Sequence, residues 1–309
     1  MPARPSARLE RLRLSRRERR NLVVGLLFVS PWIVGFVVFL LYPIVYTIRI
    51  SFTRYTGFGT PEWIGLSNYR NLLSDDLFWT AVYNTLYYTV LAVPLGAAVA
   101  MVLALAMNQP LPEVPIYRAI IYIPSVIPLF TLTFVYQNLV HPTQGVFNRF
   151  LIWLGLPNIN WFGDPRYAKL ALVLLAQYGA GQVAVIFLAG LKGIPSPLYE
   201  AAALDGANAW RRFWGITLPL MTPVILYDII LGVSLGLQIF TQVYIISGDP
   251  PGAPANSTLM YVVYLYNNAF RFGAMGYAAA LAWILFVVTL ILSLLIFRSS
   301  RWWVHYETT

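Results

Sequence analysis

Cysteine is absent from the 309 residues, which excludes disulfides, thiolate metal sites and a cysteine nucleophile. Histidine is almost absent: His141 and His305 are the only two, too few for most histidine-based metal or acid–base constellations. Lysine is confined to Lys169 and Lys192, and no G-x-x-x-x-G-K-[ST] phosphate loop occurs. If the protein depends on ATP, another chain must bind it. Charge itself is scarce, at 11% of residues, while 59% are hydrophobic. Soluble domains carry about 25% charged and about 45–50% apolar residues. A chain this poor in charge cannot cover a water-facing surface, so its apolar surplus needs lipid as solvent. The sequence describes an all-α polytopic membrane protein.

What charge there is lies at one end. Among the first twenty residues are eight arginines and two glutamates. A basic run can mean nucleic acid, but this one abuts the first apolar segment, where positive charge retains a terminus in the cytoplasm and favours anionic lipid. The apolar stretch that follows is too long for the h-region of a cleaved signal peptide. A helix needs about 20 apolar residues to span the hydrocarbon core, and six stretches qualify: 22–50, 78–107, 118–140, 168–190, 220–246 and 275–297. The division expected is a basic tail at 1–20, a six-helix transmembrane domain at 21–298 and a C-terminal tail at 299–309. Prolines 31, 43, 94, 124 and 128 fall inside these spans, as kinks whose freed carbonyls neighbouring helices satisfy. An even number of spans puts both termini on one side. Of the Lys and Arg residues, fourteen then fall on the tail side and seven on the other, so both termini are expected in the cytoplasm. Trp32, Trp79, Trp161, Tyr167, Trp302 and Trp303 sit near span ends, as interfacial aromatics do. The outer loops, 51–77, 141–167 and 247–274, are too short for separate domains.

One inner segment, 191–219, is long enough for a task of its own. Ser196 before Pro197 reads as a helix N-cap followed by proline at the first helical position, and Gly206 reads as the stop. Ala201, Ala202 and Ala203 form a thin ridge that lets another backbone approach, flanked by Glu200 and Asp205. A second short helix is expected from Asn208, with Trp210, Phe213, Trp214 and Thr217 on one face against the bundle. Pro219 and Pro223 mark the start of the fifth span. The product is a docking knob on the membrane face.

Glu200-Ala201-Ala202, then Gly206, then Ile216-Thr217-Leu218-Pro219 resembles the EAA–G–I-LP signature of permease subunits of binding-protein-dependent ABC importers. The resemblance extends over most of the chain after the tail. Tyr42-Pro43, Ser51-Phe52, WIGLSNYRNLL at 63–73, Phe78-Trp79, Asn84-Thr85, YRAIIYIPSVIP at 117–128, IFLAGLKGIP at 186–195 and DGAN at 205–208 are similar to the first permease of oligosaccharide, multiple-sugar and glycerol-3-phosphate systems. Where many relatives have T-x-G-G-P, this chain has SGDPPGAP at 247–254, on the side where a binding protein docks. The large extra outer domain of the maltose-type subunit is missing.

The resemblance implies the type I ABC importer permease architecture: six transmembrane helices with a cytoplasmic coupling helix, in a bacterial or archaeal plasma (inner) membrane. It implies a second permease as heterodimer partner, two ATP-binding subunits, an extracytoplasmic solute-binding protein and a sugar ligand, with no nucleic acid. ATP and Mg would be used by the partner subunits, so this chain would have no catalytic residue, metal or cofactor. Glu200, Ala201, Ala202, Asp205, Gly206, Ile216, Leu218 and Pro219 would carry ATPase coupling, with Gly206 allowing the sharp turn and Pro219 fixing a hinge.

Polar side chains at bilayer depth mark a substrate path when they face a cavity; otherwise they join helices. Gln137, Asn138, Gln177, Tyr178, Gln182, Gln238 and Gln242 are the candidates, since amides and phenols both donate to and accept from sugar hydroxyls. Gly179 and Gly181 could let a ring approach the backbone. In the family the fourth and fifth spans touch substrate, which selects Tyr178, Gly179, Gln182 and Gln238. Asp228 is the one acid well inside a span. It reads either as a proton relay or as a helix-end carboxylate near the cytoplasmic third, hydrogen-bonded to a neighbouring helix or to the second permease, the latter reading being expected. The alternatives to a sugar permease are a permease for glycerol-3-phosphate and, remotely, a proton-coupled secondary transporter. The second lacks support from paired intramembrane charges or internal repeats.

Overall fold

The computed structural model describes residues 15–248 and 251–305. Expectations for most of the basic tail, for the middle of the 247–254 loop and for the end of the C-terminal tail lie outside the described residues.

Ser15 caps helix α1 (Arg16–Phe36) in a reciprocal capping box with Glu18. A π turn at Val37–Leu41 carries the helix into α2 (Tyr42–Ser51). A two-stranded antiparallel ribbon, β1 (Thr53–Arg54) and β2 (Glu62–Trp63), sets Thr53 opposite Trp63. There follow α3 (Ser67–Leu73) and α4 (Asp76–Met107), the latter N-capped by Asp75. Next come α5 (Val114–Val126), α6 (Leu129–Leu139) and α7 (Val146–Trp153). Asp164 caps α8 (Pro165–Ala176), which tightens into a 3₁₀ turn at Gln177–Gly179 before α9 (Ala180–Gly193). The inner segment is α10 (Ser196–Leu204), then α11 (Ala209–Arg212), a π turn at Phe213–Thr217 and α12 (Leu218–Leu237). The chain ends with α13 (Thr241–Ser247), α14 (Tyr261–Tyr266) with a π turn at Asn267–Arg271, and α15 (Met275–Trp303).

Among the described residues, five stretches are long and apolar enough to cross a membrane: Arg16–Ser51, Asp76–Met107, Pro165–Gly193, Ala209–Ser247 and Met275–Trp303. The third expected span is not a single kinked helix. It is the pair α5 and α6, bent by 102°. Ile127, forced out of the α region by the following Pro128, is extended at φ −70°, ψ 130°, which ends α5 there. Two other prolines are absorbed without a break. Pro43 and Pro219 each follow a π turn, in which Tyr42 N–H reaches Val37 O and Leu218 N–H reaches Phe213 O. The widened turn relieves the clash of a proline ring with the carbonyl four residues back. The helical segments therefore follow one another without a break from Ala209 to Leu237.

Helix α4 is the central post, packed against α8, α9 and α12. Ala100, Ala104 and Ala184 are fully buried against Phe187 and Met221, and Gly232 and Gly236 of α12 meet Val93 and Thr89 so closely that an added Cβ would press on them. Small residues are what bring helix backbones together where lipid removes the hydrophobic drive. Helix α1 has no buried residue.

Candidate functional site

Two features stand apart from packing: a cavity at bilayer depth and the knob formed by α10. The cavity, of about 470 Å³, lies where two spans lose regular helix. In the fourth span the 3₁₀ turn at Gln177–Gly179 interrupts the ladder. In the fifth, α12 ends at Leu237 and α13 begins only at Thr241. Irregular backbone at this depth is tolerated where it lines a cavity. Gly179, Gln182, Asp228, Gln238, Phe240, Thr241 and Gln242 all line it, with Tyr88 and Ala92 of α4.

The structure therefore brings Gly179, Gln182, Gln238 and Gln242 together and leaves other candidates elsewhere. Tyr178 is not part of the lining; its ring packs edge-on against Tyr136, centroids 5.7 Å apart. Gln177 donates to Val173 O at 2.7 Å and acts within its own helix. Gln137 and Asn138 border a separate hollow with His141 and Asn160. Gly181 does not admit a ligand ring: a Cβ there would collide with Ile121 O of α5, so this glycine serves helix packing. Gly179 has open space around it. Asp228, expected to bond to a neighbouring helix or to the second permease, has no hydrogen bond or ion pair among the described residues of this chain and lines the cavity. It is the only ionisable group other than Tyr88 in the lining. Phe240 and Thr241 carry no intramembrane charge or amide, and their helix break is what exposes them.

The knob begins one residue earlier than its sequence suggests. Pro195 holds the N-cap position and Ser196 is the first helical residue, with no side-chain cap, because Pro195 already fixes the extended geometry that a serine cap supplies. The stop falls where expected. Gly206 adopts φ +74°, and Ala207 N–H to Ala202 O at 2.9 Å with Gly206 N–H to Ala203 O at 3.1 Å closes a Schellman motif. Glu200, Ala201 and Asp205 are exposed and Ala202 half-buried, and neither acid makes an ion pair among the described residues. Leu204, at the tip, is 90% exposed. Ile216, Leu218 and Pro219 are half-buried in the helix leading to the bilayer.

The expected aromatic face does not rest on the bundle as a whole. Phe213 and Thr217 pack inward, but Trp210 and Trp214 are 69% and 52% exposed. The π turn adds a residue to the helical repeat and rotates the two tryptophans away. Thr217 instead meets Tyr199 of α10, hydroxyl to hydroxyl at 2.9 Å.

On the opposite side, Asp75 Oδ1 accepts from Leu77 and Phe78 N–H at 2.9 and 3.3 Å. Its Oδ2 accepts from Tyr277 at 2.7 Å and from Tyr264. Burial works against the charge, but the Tyr264 and Tyr277 hydroxyls and the Phe78 and Leu77 N–H groups outweigh it and hold this carboxyl below its ordinary range.

Comparison with known proteins follows the same outline. Residues 78–303 match the family described as "Binding-protein-dependent transport system inner membrane component". A probable ABC transporter permease protein of Bacillus subtilis is 37% identical over 299 residues, 96% of each chain. The lactose transport system permease protein of Rhizobium radiobacter is 35% identical over 90% of this chain and 94% of its own. A chain of a bacterial ABC transporter involved in the import of the acidic polysaccharide alginate superposes with a TM-score of 0.78 at 24% identity, covering 92% of this chain and 96% of that one. The fold is that of a type I ABC importer permease.

Proposed function

The chain belongs to the family of binding-protein-dependent transport system inner membrane components, and on that premise we propose that it forms half of the translocation path for a sugar or oligosaccharide, driven by ATP hydrolysis in separate subunits. A second permease supplies the other half, two ATP-binding subunits sit beneath, and a solute-binding protein delivers the sugar from the far side. Both termini and α10 face the cytoplasm. The chain itself performs no chemistry; it transmits motion.

The observation that carries this reading is the construction of α10. It is a short helix with an alanine ridge, two exposed acids without partners among the described residues and an exposed leucine tip, tied by a side-chain hydrogen bond to the span that borders the cavity. Closure of ATP-binding subunits around such a knob would move a stiff, packed element with two arrangements. At the other end of that span, amides face the cavity in the form that suits hydroxyl-rich ligands. Asp228 without a cation in the lining weighs against a phosphorylated solute such as glycerol-3-phosphate, because like charge in a low-dielectric cavity repels it. A photo-crosslinking residue in place of Leu204 tests the reading in native vesicles. Capture of an ATP-binding subunit is expected, and capture only of lipid or of nothing contradicts it.

A further inference from the structure

Four aromatic rings run from the cavity toward the face opposite α10. Phe240, which lines the cavity, packs on Tyr244 with ring centroids 5.2 Å apart and on Tyr266 at 5.1 Å. Tyr244 and Tyr266 are 5.3 Å apart, and Tyr266 packs on Phe270 at 4.9 Å. The pairs arise locally: 240 and 244, like 266 and 270, are four apart on a helix and share a face. The loop between them folds back so that the two faces meet.

This row is not core. Comparable aromatics nearby, Phe78 and Tyr261, are buried, whereas Phe270 is 64% and Tyr244 40% exposed. Nor does it abut only apolar neighbours. Its inner end adjoins Gln238, Thr241 and Gln242 in the cavity. Its outer end, at Tyr244, Tyr266 and Phe270, borders a second hollow of about 430 Å³ with Gly248, Pro251 and Arg271. The rings thus bridge two hollows, one at bilayer depth and one at the outer surface. A pyranose has hydroxyls around its rim and a face of C–H groups, and that face packs on an aromatic ring while amides take the rim.

We propose that Phe240, Tyr244, Tyr266 and Phe270 form a stacking lane that receives sugar rings at the outer surface and passes them to the amide-lined cavity. The lane rests on the sugar-import reading above. It gives that reading a ligand class: saccharides with at least one ring whose C–H face is free of axial hydroxyls. Stacking tolerates successive rings without fixing one orientation, which suits passage better than a tight hydrogen-bonded site would.

The complete transporter, reconstituted in proteoliposomes with its binding protein, tests this with maltotriose, cellotriose, xylotriose and raffinose, using whichever the wild type imports fastest. Phe270→Leu and Tyr244→Leu keep apolar bulk but lose the ring; Phe270→Trp and Tyr244→Phe keep a ring. Both leucine variants are expected to slow uptake at saturating binding protein by about fivefold, the scale of one aromatic contact, with ATP hydrolysis continuing. Both ring-keeping variants are expected to match the wild type. Leucine variants that import as fast as the wild type overturn the lane alone, since packing against lipid or a partner is served equally by leucine. Failure of the wild type to import any of the four overturns the sugar reading and the lane with it.

Discussion

The Tyr199 hydroxyl lies 2.9 Å from Thr217 Oγ1, a bond between the knob and the base of the fifth span. Thr217 is buried, and the contact joins two elements that the chain connects through the exposed turn around Gly206. Tyr199→Phe removes the bond and leaves the ring. A lost side-chain hydrogen bond costs roughly 0.5–1.5 kcal/mol, too little to unfold the bundle but enough to loosen the strut. The expected outcome is a fall in sugar imported per ATP hydrolysed, with hydrolysis itself preserved; measuring both in the same proteoliposomes checks it. An unchanged ratio would assign the pair to local packing.

Asp228 distinguishes ATP-driven import from proton coupling. As the unpaired carboxylate of the cavity, it would be indispensable to a relay, whereas an asparagine could replace it in accepting from a sugar hydroxyl. Asp228→Asn is expected to retain uptake within about threefold, under ~0.7 kcal/mol, with the same ratio to wild type at pH 6, 7 and 8. Collapse of uptake, or a ratio that varies steeply with pH, would favour the relay.

Asp75 ties the start of α4 to α14 and α15 through Tyr264 and Tyr277. Because its folded carboxyl titrates below the unfolded value of about 3.9, its contribution is complete at neutral pH and is lost as pH falls through the folded value. Asp75→Asn is expected to lower thermal stability at pH 7 by the order of 1 kcal/mol, kept small by partial exposure to solvent. The gap to the wild type should narrow as pH falls below the unfolded value of about 3.9 and close below the folded one. A gap that persists in acid would show that the carboxylate charge is not what stabilises this corner.

Much of this was legible in the residues, for definite reasons. Gly206 announced its turn because a left-handed residue has few alternatives to glycine, and the amides of 182, 238 and 242 stood out because such groups are costly in lipid. Other features depend on neighbours. Pro43, Pro128 and Pro219 look alike in sequence, yet one ends a helix and two are absorbed by π turns. Tyr178 and Gln182 look equally suited to a cavity, but the 3₁₀ turn at 177–179 sends one toward Tyr136 and the other into the opening. The aromatic row carries no intramembrane polarity signal and emerges only when α13 and α14 fold together.

The account stands most directly on the knob, and Gly206→Asp in the assembled transporter is the measurement that reaches it. The position has open space around it, so the penalty is local backbone strain at φ +74°, about 1–2 kcal/mol, on an exposed turn far from the packed spans. The chain should still insert and copurify with its second permease, while uptake and binding-protein-stimulated ATP hydrolysis both fall to background. Normal transport by that variant would contradict the role given to α10.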